Sequence, residues 1–399
     1  MDLSFTPEEL SFREEVRAFF RAALPADIRR KCELGQRISK EEMKRWVRIL
    51  HEKGWATPAW AKEWGGTGWD AVKQYIFKEE LHLAPAPEPI SFNVNMIGPT
   101  LIAFGTEEQK RRFLPQIASL DIWFCQGFSE PGAGSDLAAL RTSAVRDGED
   151  YIIDGQKLWT STAHHADWCF VLVRTDPAAK KQQGITYLLV DMKTPGITIR
   201  PIVTIDGHHE TNEVFFDKAR VPVANRVGEE NKGWDYAKYL LGHERSGIAR
   251  VGISKYRLRR ARELAKTVVC GDRSLAEDLR FQERVVELEV ELKALEITQM
   301  RLISEIGKRQ DGKPDPKSSI LKMKGSQLQQ ASAELLLEVA GYNALELDTD
   351  FLRGLKAEAE GDDWALTIAP NHYWARHVSI VGGSNEIQRN ILAKTVLGL

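Results

Sequence analysis

Apolar residues recur along this chain in two rhythms. Late in the sequence Val285, Leu288, Leu292, Leu295, Leu302 and Ile306 fall three, four or seven residues apart, with acids and bases between them. That spacing predicts one buried face of a long helix. The middle of the chain reads differently. Trp168 to Val173, Gly184 to Asp191, Ile197 to Val203 and Asn212 to Phe216 are short runs of β-branched and aromatic residues bounded by Gly, Pro and Asp, the pattern of strands. The Asp147-Gly148 pair followed by Tyr151 to Ile153 predicts a hairpin entering another strand. The first part, to about Leu120, reads helical. Thr6-Pro7-Glu8-Glu9 and Thr106-Glu107-Glu108-Gln109 are helix starts, with a capping Thr and an acid or amide three residues later. Pro25, Pro58 and Gly65-Gly66-Thr67-Gly68 interrupt the helices, and Lys308 to Lys317 reads as a turn between helices. No internal repeat is visible. The fold class expected is α+β: an N-terminal helical domain over residues 1–120, a barrel- or sandwich-like β domain over 121–230 and a C-terminal helical bundle over 231–399.

Bulk properties narrow the function. A length of 399 residues exceeds one typical core and fits two or three domains. Hydrophobic content of 43% and charged content of 28% are those of a soluble globular protein. A net charge of −2 gives no reason to expect nucleic-acid or membrane binding. Cys32, Cys125, Cys169 and Cys270 are widely spaced and form no CxxC, so reduced thiols in the cytoplasm are expected. The start lacks a basic region followed by an apolar segment, and no apolar run approaches membrane-spanning length.

Two segments carry candidate chemistry. Phe128-Ser129-Glu130-Pro131-Gly132-Ala133-Gly134-Ser135-Asp136 is a glycine-rich loop after an apolar run. Gly132 and Gly134 permit a sharp turn and close approach of backbone to a ligand. Backbone N–H groups and the Ser129 and Ser135 hydroxyls then suit a flat polar ring or a pyrophosphate. Taken alone the loop is equally compatible with an ordinary turn between strands. About twenty residues on stands Gln156-Lys157-Leu158-Trp159-Thr160-Ser161-Thr162. Continued as a strand, it would put Trp159 and Ser161 on one face, where the ring stacks on a ligand and the hydroxyl donates to it. A buried structural Trp is the competing reading.

Together these segments resemble the acyl-CoA dehydrogenase family of flavoproteins, as does Gly382-Gly383-Ser384-Asn385-Glu386-Ile387-Gln388-Arg389-Asn390 near the end of the chain. Order, spacing and flanking helices agree over nearly the whole chain. The resemblance implies bound FAD, held through Phe128, Ser129, Gly134, Ser135, Trp159, Ser161, Ser384 and Glu386. It implies α,β-dehydrogenation of an acyl-CoA thioester, with electrons passed to an electron-transfer flavoprotein. A base takes the α-proton while the β-hydrogen leaves as hydride.

The chain departs from the commonest family pattern at the base. Many relatives carry Glu immediately before the Gly-(Thr/Ser) pair of the C-terminal motif, where this chain has Gly382. A minority place it in a Glu-Arg pair on the first helix of the C-terminal domain, which Glu244-Arg245 matches. Glu244 is therefore the expected base, with Arg245 and Gly382 beside the substrate. A glycine at 382 leaves room for branched or ring-bearing acyl groups, and with a helix-borne Glu the motif resembles that of bacterial enzymes for steroid side chains or dicarboxylic acyl-CoAs. A second departure concerns the far end of FAD. The Arg-x-x-Phe-Gly segment that serves a neighbouring subunit's pyrophosphate is absent. Cys270 to Leu275 stands there, and Leu337 replaces a later Gln. A paralogous subunit in an α2β2 assembly is expected to complete the site. The alternative is a homotetramer in which Arg273 or Arg280 takes over.

The pairs His164-His165 and His208-His209 lack a metal-ligand pattern, and no metal is expected. The basic run Arg257 to Arg262 reads as a solvated helix face or as an anchor for CoA phosphates. No GxGxxG, P-loop or GxSxG occurs. The alternatives kept are an oxidase or monooxygenase on the same fold and a non-catalytic subunit of a dehydrogenase complex.

Overall fold

The computed structural model describes residues 4–244, 249–306, 315, 317–358 and 363–399. The side chains of 241–244 and 306 lie outside that description. The expected turn at 308–317 is outside it as well, apart from residues 315 and 317.

Six helices open the chain: α1 Pro7–Ala23, α2 Ala26–Leu34, α3 Lys40–Glu52, α4 Ala71–Leu83, α5 Gly98–Phe104 and α6 Glu107–Ser119. Both expected helix starts are capping boxes. Thr6 accepts from the Glu9 N–H while the Glu9 side chain accepts from the Thr6 N–H, and Thr106 and Gln109 do the same. Helix α1 buries Phe12, Val16 and Phe20, four residues apart, against Trp46 and Phe77.

The middle of the chain forms one curled sheet: β1 Phe124–Gly127, β2 Ser143–Asp147, β3 Asp150–Lys157, β4 Trp168–Arg174, β5 Ile185–Asp191, β6 Ile197–Val203 and β7 His209–Pro222. The order is β1-β4-β2-β3-β7-β6, with β5 also paired to β4. Strands β4 and β5 are apolar runs because both of their faces are covered. Phe170 and Leu172 face Phe113, Ile117, Ala237 and Leu240 of the helices. Cys169, Val171 and Val173 face Tyr151, Val214 and Val221 across the curl.

Helices return with α7 Gly233–Glu244, α8 Val251–Ala265, α9 Leu279–Ile306, α10 Ser318–Ala340, α11 Thr349–Leu352, α12 Ile368–Trp374 and α13 Asn385–Leu392. A small hairpin, β8 Val269–Cys270 and β9 Arg273–Ser274, separates α8 from α9. Val285, Leu292, Leu295 and Leu302 of α9 are buried against α8 and α10, on the face predicted from their spacing. The start and end of the chain are stitched together around Gly35. The Arg37 N–H donates to the Leu352 carbonyl at 2.8 Å and Asn371 Nδ2 to the Gly35 carbonyl at 2.8 Å. Gly35 has φ +73°, and a Cβ there would meet Asn371 Nδ2 at 2.7 Å.

The glycine-rich loop is fixed to the sheet by a buried ion pair. Lys157 Nζ, at the end of β3, lies 2.7 Å from Glu130 Oε1 and donates to the Phe128 carbonyl at 3.2 Å. The Arg141 and Thr142 N–H groups donate to the two Glu130 oxygens at 2.6 and 2.9 Å. Burial alone would raise the Glu130 carboxyl. The Lys157 charge, its hydrogen bond and the Arg141 N–H together hold it below the usual carboxylate range. Burial pulls the Lys157 ammonium down, opposed by Glu130. Lys157→Met would leave a buried carboxylate without its cation. The expected cost is about 3–5 kcal/mol of stability, read as a lower urea midpoint. The double variant with Glu130→Gln should recover part of it, and an unchanged midpoint for Lys157→Met would show that the pair holds nothing.

Candidate active site

Loop 128–136 and segment 158–162 lie side by side. The Leu158 N–H donates to the Ser129 carbonyl at 2.8 Å, and Glu130 and Ala133 exchange backbone hydrogen bonds in a tight turn. Gly132 and Gly134 face open space, with no atom within 4 Å of where a Cβ would sit. Ser129 is half-buried and Ser135 exposed. The Phe128 ring packs into the core, edge-on to Phe170 and Tyr187. What Phe128 has left for a ligand is backbone.

The expected continuation of β3 through Trp159 is corrected by the structure. The strand ends at Lys157, and Trp159 and Thr162 take left-handed backbone at φ +59° and +55°. The segment nevertheless stays against β7. The Thr160 N–H donates to the Asn212 carbonyl at 2.9 Å and the Thr162 N–H to the Glu210 carbonyl at 2.8 Å. The Trp159 ring is turned out, 57% exposed, rather than buried as a structural Trp. Ser161 is half-buried beside it.

Sequence reasoning missed Gln126. It stands on β1 just before the loop, and its Nε2 is buried with no hydrogen-bond partner among the described residues. Thr160 Oγ1 is in the same state. A polar residue inside the apolar stretch Phe124 to Phe128 was the available signal. Buried polar atoms without partners are uncommon and call for a ligand or water. A glycine turn facing open space, two exposed or half-exposed serines, an uncovered indole and these two atoms fit a flat ring with polar edges and a phosphate tail.

The C-terminal motif is a shaped turn. Gly382 and Gly383 have φ +67° and +85°, backbone that favours glycine. The buried Gln388 donates to both of their carbonyls at 3.3 and 3.2 Å and accepts from Ser319 Oγ at 2.8 Å. Ser384 caps α13, accepting from the Ile387 N–H. Glu386 projects outward, its side chain 74% exposed. The role of Gln388 as the clasp of this turn was not read from the sequence.

A cavity of about 710 Å³ opens between the N-terminal helices and the C-terminal bundle. Tyr239 of α7 and Val381, next to Gly382, line it. Helix α7 ends at Glu244. The Glu244 side chain and all of Arg245 lie outside the described residues. On another wall His82 Nε2 lies 2.6 Å from Glu88 Oε1, with Arg250 Nε 3.5 Å from the same oxygen. Burial would raise Glu88, but Arg250, Lys78 and His82 hold its carboxyl well below the usual range. Burial draws His82 below its ordinary value.

Other candidate residues fall elsewhere. His164 stacks on His209 with ring centroids 4.0 Å apart, and no metal-ligand cluster occurs among the described residues. The basic run divides around α8. Arg257 is turned inward to the Gln329 carbonyl, while Arg262 pairs with Glu289. Cys270 to Leu275 forms the β8–β9 hairpin, on which Arg273 is exposed. Arg280 is exposed on α9 and Leu337 packs into the bundle.

Models of the acyl-CoA dehydrogenase N-terminal, middle and C-terminal domains match residues 6–121, 125–219 and 231–397. The acyl-CoA dehydrogenase FadE26 of Mycobacterium tuberculosis is 36% identical over 100% of this chain and 99% of its own. The crystal structure of the ChsE4-ChsE5 complex from the same organism is matched with TM-score 0.84 at 36% identity, covering 100% of this chain and 99% of that one. The Tcur3481-Tcur3483 steroid ACAD is matched with TM-score 0.85 at 32% identity and the same coverage. Domain models spanning the chain and full-length relatives above 30% identity lead to one conclusion: this chain is an oxidoreductase belonging to the acyl-CoA dehydrogenase family.

Proposed function

We propose that this chain is the base-bearing subunit of a cytoplasmic, FAD-dependent acyl-CoA dehydrogenase that acts on ring-bearing, steroid-derived thioesters. One observation carries this reading. The large cavity is bordered by α7, which ends at Glu244, and by the turn holding Gly382, the position at which the commonest family pattern has its glutamate. Two of the matched structures are a two-protein complex and a steroid ACAD by name, which favours that substrate class and a paralogous partner.

FAD bound at the loop would supply a hydride acceptor for the β-hydrogen. The chain's own residues do the rest. Ser135 and the open Gly132–Gly134 turn would hold the phosphate tail of FAD, and Ser129, Gln126, Thr160 and Ser161 would satisfy the polar edges of its ring. Trp159 covers the ring. Ser384 and Glu386 are assigned to the flavin through the C-terminal motif. Glu244 takes the α-proton, with Arg245 and Gly382 beside the substrate. Alkyl C–H bonds are poor acids, so hydrogen-bond donors must polarise the thioester carbonyl before the proton moves. The electrons pass on to an electron-transfer flavoprotein. An anaerobic screen of acyl-CoAs, watching the flavin bleach with any co-purified subunit present, tests the reaction. Turnover dependent on oxygen would point to an oxidase instead.

Three outcomes are expected. Glu244→Gln should retain flavin yet lose substrate reduction by roughly a hundredfold or more, because an amide accepts no α-proton. Near-normal bleaching would remove Glu244 from the role. Ser135→Ala should weaken FAD retention by about 0.5–1.5 kcal/mol, measured by flavin release on dilution, with the fold intact. Unchanged retention would place the cofactor elsewhere. Finally, no Arg-x-x-Phe-Gly segment is available for a neighbour's pyrophosphate, and a dianion at an interface binds poorly without a cation. Expressed alone the chain should be flavin-poor. Co-expression with a paralogous dehydrogenase subunit should give an α2β2 assembly with one FAD per pair. A yellow, active homotetramer of this chain alone would show that Arg273, Arg280 or another cation has filled the gap.

A further inference from the structure

The cavity has an acceptor-rich wall that an alkyl chain would not satisfy. Gln299, on α9, lines it and is 7% exposed, and its Oε1 has no hydrogen-bond partner among the described residues. One turn earlier stands the buried Glu296. Lys255 Nζ bridges Glu296 Oε1 and Glu79 Oε1 at 2.6 and 2.5 Å, and Tyr75 Oη lies 3.2 Å from each of the same two oxygens. Lys255 and Tyr75 are therefore already committed to these carboxylates. Helix α4 keeps the wall polar, since Gln74, Lys78 and His82 are spaced four apart and all border the cavity.

We propose that Gln299 receives a hydroxyl group carried on the ring system of the acyl moiety, which makes the preferred substrate a hydroxylated ring-bearing acyl-CoA. The chemistry decides between oxygen functions. An amide oxygen only accepts, so an oxo group facing Oε1 leaves both oxygens without a proton and is served only if the amide turns over. A carboxylate likewise only accepts and brings Oε1 no proton. A hydroxyl donates to Oε1 and, were the amide turned over, would accept from Nε2 equally well. A saturated ring would bury Oε1 unpaired, and removing one partner of a buried hydrogen bond costs the desolvation of the other. The proposal rests on the cavity being the acyl site.

Three CoA thioesters test it on the holoenzyme with its co-purified subunit. Cholanoyl-CoA carries no ring oxygen, choloyl-CoA carries three hydroxyls, and dehydrocholoyl-CoA carries three oxo groups at the same positions. Affinities are read by titration calorimetry and reduction by flavin bleaching. Choloyl-CoA should bind roughly fivefold to tenfold tighter than either companion. Gln299→Met should erase that preference while binding cholanoyl-CoA at least as tightly as the unaltered enzyme, which also certifies that the variant folds. Equal affinities for all three thioesters, a preference for the oxo compound, or a hydroxyl preference that survives Gln299→Met would each overturn the proposal, with flavin bleaching still showing a working dehydrogenase. If none of the three binds or bleaches the flavin, the acyl-site reading falls and this proposal with it.

Discussion

The contact between Lys157 and Glu130 organises everything proposed for the cofactor. A glycine-rich loop has little packing of its own, so its shape must be imposed from outside. Here the imposition is electrostatic. A fully buried ammonium at the end of β3 holds a carboxylate that also collects the N–H groups of Arg141 and Thr142. A buried ion pair gives modest net stability against a well-packed apolar pair, but it is severe about geometry, since any displacement strands a charge. That severity keeps the shape of an otherwise loosely packed loop fixed. The same pair sets Leu158 against Ser129, so the two segments become one surface.

The sheet plays a different part. Because β4 and β5 are apolar on both faces, they hold the helices on one side and the curl of the sheet on the other. Helix α7 is packed on that first face through Ala237 and Leu240. The end of α7, and with it Glu244, is thereby positioned relative to the sheet that carries the loop. The cavity lies among elements from both ends of the chain, and its wall combines residues of α4, α9 and the turn before α13. Its polar lining comes from side chains on many segments, among them α4, α7, α9 and α10.

Features with a local code were legible in the sequence. The capping boxes at Thr6 and Thr106 and the apolar strands from Trp168 and Ile185 follow from short-range rules and appear where expected. The helical, β and helical order follows from the change of rhythm. Strand β7 extends from His209 to Pro222, beyond the apolar run at Asn212 to Phe216, because sheet pairing carried it past polar residues that propensity alone would exclude. Trp159 left the strand because its left-handed backbone is a tertiary outcome, imposed where the segment turns against Asn212. The pairing of Lys157 with Glu130 spans 27 residues, and nothing in the composition of either segment announces it. Gln299 looks like an ordinary polar residue in sequence, and Gln126 is marked there only by its apolar neighbours. Burial of a polar atom without a partner among the described residues is what singles them out.

The stitching around Gly35 bears on how the chain comes to be made. On the ribosome, Leu34 to Arg37 emerges more than three hundred residues ahead of Phe351, Thr367 and Asn371, which complete its hydrogen bonds. Until then the Gln36 side chain, buried in the finished protein, lacks the Phe351 and Lys356 carbonyls it donates to. The amino-terminal helices therefore emerge as an unfinished layer, with apolar surface that only the carboxy-terminal bundle covers. Chains of such high sequence separation fold slowly and expose sticky surface meanwhile. Nascent chains that stall before residue 351 would be natural clients of chaperones and proteases, whatever the quality of their finished active site.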